Sequence, residues 1–267
     1  MHDLRPVLIV VGILAALALF GPYLAPNPPN AIDIPNRLAG PGAVYPLGTD
    51  AMGRCILSRL LHGARWSLGL AFLVSTIGLV AGSLIGLVAA MGGRAVDWSL
   101  MRVTDIFLAF PELIAAVVIA GLLGAGTGSL IFTLTITGWM RYARVARGIG
   151  LGLQSRGYVV QARLAGLSGT DIAYWHYLPA LLPSLTVVWT GMLARAILGI
   201  SALGFLGFGV QPPTPEWGTM LLDARVHIRS SPLQMIWPGL AVVICVLAFN
   251  LAGDALRDAL DRKEPAT

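Results

Sequence analysis

This chain has little charge. Of its 267 residues only 12% are charged, against 56% hydrophobic, where a soluble domain carries about 25% charged residues. Lysine is almost missing: 17 of the 18 basic residues are Arg, and Lys263 is the single exception. A Walker A loop, GxxxxGK[ST], requires a Lys directly after a Gly, and Lys263 follows Arg262, so ATP hydrolysis by that route is excluded for this sequence. Cysteine and histidine are also scarce. Cys55 lies in a polar loop and Cys245 inside an apolar run, too different in depth to pair. The four His, at 2, 62, 176 and 227, have no ligand spacing, which argues against a disulfide framework and a metal site. No residue set reads as catalytic. Basic runs interleaved with aromatics are lacking, so the net charge of +5 does not mark a nucleic-acid partner.

What the chain has is long apolar runs. Arg65 and Arg94 bracket 28 uncharged residues, and Arg229 and Asp254 bracket another 24. A bilayer core about 30 Å thick needs roughly 20 apolar residues per helix, so these two runs are membrane spans. The full reading is an all-α polytopic protein in one domain, with six spans near 7–25, 66–91, 105–124, 129–147, 183–204 and 234–256. The first is an uncleaved anchor rather than a signal peptide, because the stretch after Ala25 is rich in Pro and Asn and has no small-x-small site. An outer loop, 26–65, separates it from the core at 66–256, and 257–267 form a tail.

Arginine counts set the orientation. With the N-terminus inside, eleven basic residues face the cytoplasm and six face out, which favours both termini inside. Gly78, Gly82 and Gly86 form a small-residue stripe suited to close packing within the subunit. Arg141, Arg144 and Arg147 recur on one helical side, where they are expected to snorkel to headgroups or face a partner. Arg195 falls near mid-depth of the fifth span. Such an Arg needs a cavity or a partner, so it either guides an anionic group along a pathway or pairs with Asp105 or Glu112 in the third span.

Between two spans lies a polar segment, Ser155 to Pro179, reading SRGYVVQARLAGLSGTDIAYWHYLP. It is expected to form one helix over Tyr158–Leu167 and a second over Asp171–Tyr177 that stops at Leu178-Pro179. A helix–turn–helix between spans reads as a docking element. Upstream, Gly48, Thr49, Asp50, Gly53 and Arg54 make a turn-rich segment. There Asp50 and Arg54 would pair if helical. Downstream, QPPTPEW (Gln211–Trp217) is stiffened by three Pro, with Trp217 suited to the membrane interface. Asp254, Arg257 and Asp258 are spaced for pairing on one helix face.

Four of these segments carry a resemblance: PLGTDAMGRCILSRLLHGARWSLG (Pro46–Gly69), the 155–179 loop, LGFLGFGVQPPTPEWGTML (Leu203–Leu221) and WPGLAVVICVLAFNLAGDALRDALD (Trp237–Asp261). In this order and spacing they resemble the permease subunits of binding-protein-dependent ABC importers, in the peptide/nickel branch. The 155–179 segment looks like that family's cytoplasmic coupling loop, the "EAA loop". The resemblance implies that Tyr158, Gln161, Ala162, Arg163, Gly166, Leu178 and Pro179 sit at an ATPase groove. It also implies that Gly48, Thr49, Asp50, Gly53 and Arg54 form a family motif of the outer loop, of structural use or in contact with a delivery protein.

The loop departs from the family pattern, since Val160 stands where a Glu is usual and Gln161 where an Ala is usual. In the fifth span Ile200 replaces the usual acidic residue. The implied partners are a second permease, two ATPase subunits that bind ATP and Mg, an extracytoplasmic binding protein and the lipid bilayer of a bacterial inner membrane. No cofactor is expected on this chain itself. Dipeptides or oligopeptides are the first expected cargo. Nickel is a close second, because Ala31–Leu38, Leu221–Ile228 and Pro232–Ala241 look like nickel permeases. A secondary transporter driven by an ion gradient is a distant alternative. It predicts repeats with midplane ionisable pairs, and no repeat is seen.

Overall fold

The computed structural model describes residues 5–261; Arg262, Lys263 and the rest of the tail lie outside them. The helices are α1 (Arg5–Phe20), α2 (Ile56–Met91), α3 (Gly93–Ala109), α4 (Glu112–Leu123), α5 (Thr127–Leu153), α6 (Gly157–Leu164), α7 (Gly169–Ile172), α8 (Leu178–Phe205), α9 (Trp217–Ala224) and α10 (Leu233–Asp261). Among the described residues there is no strand, only an isolated bridge between Thr49 and Cys55. The all-α expectation holds.

Three helical runs are long and apolar enough to cross a membrane: Ile56–Met91, Gly169–Phe205 and Leu233–Leu260. α5 has the length, at 27 residues, but carries the three Arg. α1 and the 3-10 turn after it supply a shorter apolar helix, Ile9–Leu24.

The third span is corrected. Residues 105–124 do not form one helix, because α3 and α4 meet at an 89° bend. Proline disfavours helical backbone in the residue before it, and Phe110, before Pro111, is extended. The α2 helix also begins ten residues before the expected core boundary, since Ile56–Arg65 are already helical.

The glycine stripe packs inside the subunit, as expected. A Cβ on Gly82 would overlap the Trp139 carbonyl oxygen of α5, and one on Gly86 the Ala143 carbonyl oxygen. The α2 and α5 backbones touch, and rising residue numbers on one match rising numbers on the other, so the two run parallel. α8 runs against them, with Tyr177 near Gly150 and Gly199 near Leu134, and α10 runs back against α8, with Gly253 beside Thr190. The bundle therefore has two ends. One gathers the 26–55 loop, the start of α2, the end of α8 and α9; Gly21, after α1, meets Leu61 there. The other gathers the ends of α2, α5 and α10 with the 155–179 loop.

The core has two apolar clusters. One, around Leu70, Leu130, Ile197, Ile200 and Leu203, fills the first end and the middle. The other, around Tyr142, Val159, Ile172, Tyr177 and Leu181, lies under the loop.

Candidate functional site

At the first end, the outer-loop motif builds a charged clasp. Asp50 Oδ1 accepts the backbone N–H of Met52 (2.9 Å) and of Arg54 (3.0 Å), and Arg54 Nε donates to Asp50 Oδ2 at 2.6 Å. The pair forms as expected but its reason is different: the segment is a tight loop rather than a helix. Arg59 Nε reaches the same carboxylate at 3.6 Å. Asp223 of α9 sits 3.3 Å from Arg54 and 3.9 Å from Arg59. Two Arg and two Asp thus neutralise each other and tie the loop to α9. Thr49 is fully buried and accepts the Ala39 N–H at 2.8 Å. Gly48 and Gly53 have φ of +84° and +74°, where only Gly is unstrained, and a Cβ on Gly53 would strike the Asp33 carbonyl. Hydrogen bonds from the Asn36 amide and the Tyr45 hydroxyl hold the Asp33 carboxyl below the usual carboxylate range. These contacts give the motif its structural role.

A second clasp was missed in the sequence. Glu216 is fully buried at the start of α9. Its carboxylate accepts the Ser67 hydroxyl (2.9 Å), the Gly218 N–H (2.8 Å) and the Thr219 N–H (3.0 Å). Burial pushes this carboxyl up from its ordinary value, while the three donors pull it back down. Glu is a poor N-cap on statistical grounds, so nothing in the sequence signalled it. Trp217 is also corrected. It is buried rather than interfacial, and its indole N–H donates to the Leu60 carbonyl at 3.1 Å.

At the other end, α6 closes with a glycine turn. Gly166 has φ +80°, its N–H bonds the Arg163 carbonyl (3.0 Å), and the Leu167 N–H bonds the Ala162 carbonyl (3.1 Å). That is a Schellman cap. Ser168 caps the next helix: its hydroxyl accepts the Asp171 N–H at 3.1 Å and donates to the Asp171 carboxylate at 2.6 Å. Two expectations change here. The first helix ends at Leu164 rather than Leu167, because Gly166 reverses the chain. The second does not stop at Leu178-Pro179. A π turn over Ala173–Tyr177, closed by the Leu178 N–H on the Ala173 carbonyl, leads directly into α8, so Pro179 lies inside one helical run, Gly169–Phe205, rather than at a helix stop. The 155–179 segment is thus continuous with a span.

The loop sorts its side chains by face. Val159, Ala162, Ile172 and Tyr177 are buried against the bundle, and the Arg163 guanidinium donates to the Tyr177 hydroxyl at 3.4 Å. Facing outward are Tyr158, Val160, Leu164, Leu167, Tyr174, Trp175 and Leu178, with Leu164 at 84% exposure; Gln161 and Pro179 are exposed too. Tyr174 and Trp175 stack edge-on with centroids 5.0 Å apart. Exposed apolar side chains gathered on one loop are the kind of surface found at protein or membrane contacts. Sequence reasoning named Tyr158 and Leu178 in it but missed Leu164, Tyr174 and Trp175.

The mid-depth charges are rearranged relative to expectation. Arg141, Arg144 and Arg147 each meet an acidic residue of α3 or α4 within the chain. Arg147 pairs with Asp97, Arg144 with Asp105 (2.6 Å) and Arg141 with Glu112 (3.7 Å). The three rungs strap α5 to the α3–α4 elbow. Both acids proposed for Arg195 are therefore engaged elsewhere, and among the described residues Arg195 forms no ion pair. It lies instead on a cleft of 630 Å³ between α5, α8 and α10. Asp254, Arg257 and Asp258 form no ion pair with one another among the described residues, and the first two also line that cleft.

The comparisons with known proteins agree with this architecture. Residues 82–264 match the family described as "Binding-protein-dependent transport system inner membrane component". The chain belongs to that family. Among its relatives, the nickel transport system permease protein NikC of Escherichia coli (strain K12) is 44% identical over 263 residues, covering 97% of this chain and 94% of that protein. The di/tripeptide transport system permease protein DppC of Pseudomonas aeruginosa (strain UCBPP-PA14) is 42% identical over 252 residues, covering 92% and 83%. Solved structures of inward-facing MetNI methionine ABC transporter align with a TM-score of 0.62 at 20% identity, covering 75% of this chain and 95% of that one. At that identity the match speaks for the fold alone. Membership in this importer family leaves the ion-gradient alternative without support.

Proposed function

We propose that this chain is one permease subunit of an ATP-driven importer of the bacterial inner membrane. It would form the pathway with a second, homologous permease, take cargo from an extracytoplasmic binding protein and dock two ATPases through residues 155–179. The observation that carries this reading is the outward face of that loop, an apolar and aromatic surface held by a capped helix pair and continuous with α8. ATP and Mg would stay on the ATPases, because this sequence has no Walker A motif. With the loop inside, α1 begins and α10 ends on the cytoplasmic side, in keeping with the arginine count. Val160 in place of the family's Glu leaves an apolar contact where a carboxylate is usual.

Dipeptides or oligopeptides are the first reading of the cargo. Nickel, carried as a chelate, is the second, and the 44% identity to a nickel permease over nearly the full chain favours it.

The test is purification of the tagged chain from native membranes in mild detergent, with mass spectrometry of what accompanies it. The wild type should bring down an ATPase and a second permease. Leu164→Glu and Trp175→Ala should lose the ATPase and keep the permease. Replacing Gly166 would not serve, because its φ forbids a side chain without strain. A folded chain that transports with no ATPase attached would refute the reading.

A further inference from the structure

The charges along the α5–α8–α10 cleft do not balance. Arg195 projects from the middle of α8, exposed and without an ion pair among the described residues. Arg141, Asn250 and Arg257 share the cleft wall, with Asp254 as the only acidic residue lining it among the described residues. Arg141 is shared with Glu112 at 3.7 Å, and Glu112 itself faces a separate, much smaller cavity on the other side of Arg195. Nearby glycine keeps the wall open: Gly191, one turn before Arg195, has nothing within reach of a Cβ.

A guanidinium in the middle of a span is costly unless it is paired or hydrated, so it is retained where it meets water or an anion. Lipid cannot meet that need. A cleft of 630 Å³ is large enough for a small cargo molecule, in the 300–1,000 Å³ range of ligand sites.

We infer that Arg195, on a cleft wall it shares with Arg257 and Asn250, forms a station for a carboxylate group of the cargo. This rests on the permease reading above and narrows it. A peptide presents its terminal carboxylate to Arg195. A divalent metal passes as a carboxylate chelate, since the wall stays net positive, with Arg195 and Arg257 against Asp254 and with Arg141 already shared with Glu112. Arg suits this task because its planar donor fork matches a carboxylate in two hydrogen bonds.

The test needs no knowledge of the cargo. Cys55 and Cys245, both buried, are replaced by Ala, and Leu198→Cys places one thiol in the cleft. The assembled complex in membrane vesicles is then treated with two thiol reagents of equal size, an anionic and a cationic methanethiosulfonate. The anionic reagent should react faster, by roughly ten-fold or more. Arg195→Gln should bring the two rates together, and Arg195→Lys should keep most of the preference. Three results would overturn the station: no reaction with either reagent, a preference untouched by Arg195→Gln, or faster reaction with the cation. Loss of the second permease from the Arg195→Gln complex would instead assign Arg195 to the subunit interface and also overturn it. Co-purification of the ATPase is scored separately, so failure of the station and failure of the permease reading are told apart.

Discussion

The two ends of the bundle handle polar groups in opposite ways. At the end holding the outer loop and α9, charges are buried and satisfied. Asp50, Arg54 and Arg59 are nearly inaccessible, and Glu216 is fully so. At the other end, charges are exposed while the surface is apolar, with Leu164, Tyr174 and Trp175 facing out. A buried, fully bonded polar network is costly to break, so the first end behaves as a fixed frame. The second is held by caps and one apolar face. Under the proposed docking role, the first end would be a fixed seat and the second a lever.

The comparison can be broken from either side. The largest effect is expected in the middle, where both ends depend on α2 against α5. Gly82→Leu drives a side chain into the Trp139 carbonyl, and folded protein should fail to accumulate in membranes by detergent size-exclusion chromatography. Next is the frame. Arg54→Ala leaves Asp50 buried with its main partner gone, and breaking such a pair typically costs 3–5 kcal/mol. A large fall in thermal midpoint should follow, with Arg54→Lys intermediate because the bond from Nε is lost.

Third is the lever. Gly166→Ala puts a side chain where φ is +80° and should cost about 1 kcal/mol, seen as faster hydrogen exchange limited to residues 155–177. An equally broad exchange increase at α9 would deny that the two ends are independent. The smallest effect is expected from Arg144→Ala. Both partners of that rung are about half exposed, and exposed pairs give roughly 0.2–1 kcal/mol. If it costs as much as Arg54→Ala, the strap between α5 and the elbow is part of the frame.

The parts legible in the sequence share one property: they depend on near neighbours in the chain. Apolar run length located α2, α8 and α10. The 155–179 segment announced a helix–turn–helix, and the glycine stripe announced close packing. The remaining parts depend on distant residues or on local breaks that composition does not report. Leu178-Pro179 reads as a helix stop in the sequence, whereas the π turn before it carries the helix through. Residues 105–124 were joined because apolar content does not report an 89° bend. Glu216 gave no signal, since its donor Ser67 lies 149 residues away.

Composition and spacing by themselves determined that this chain is helical, embedded in a membrane, without its own Walker A motif, and carries a polar helix–turn–helix between two spans. Those are consequences of hydrophobic length, backbone conformational preference and motif chemistry, all local quantities. The tertiary structure alone decided which charge meets which. It gave Asp97, Asp105 and Glu112 to the three Arg of α5, Asp223 to Arg54, and left Arg195 facing an open cleft. Pairing depends on distance in space. The sequence carries no distance between α5, α8 and α10 until the glycine-backed packing of the bundle sets it.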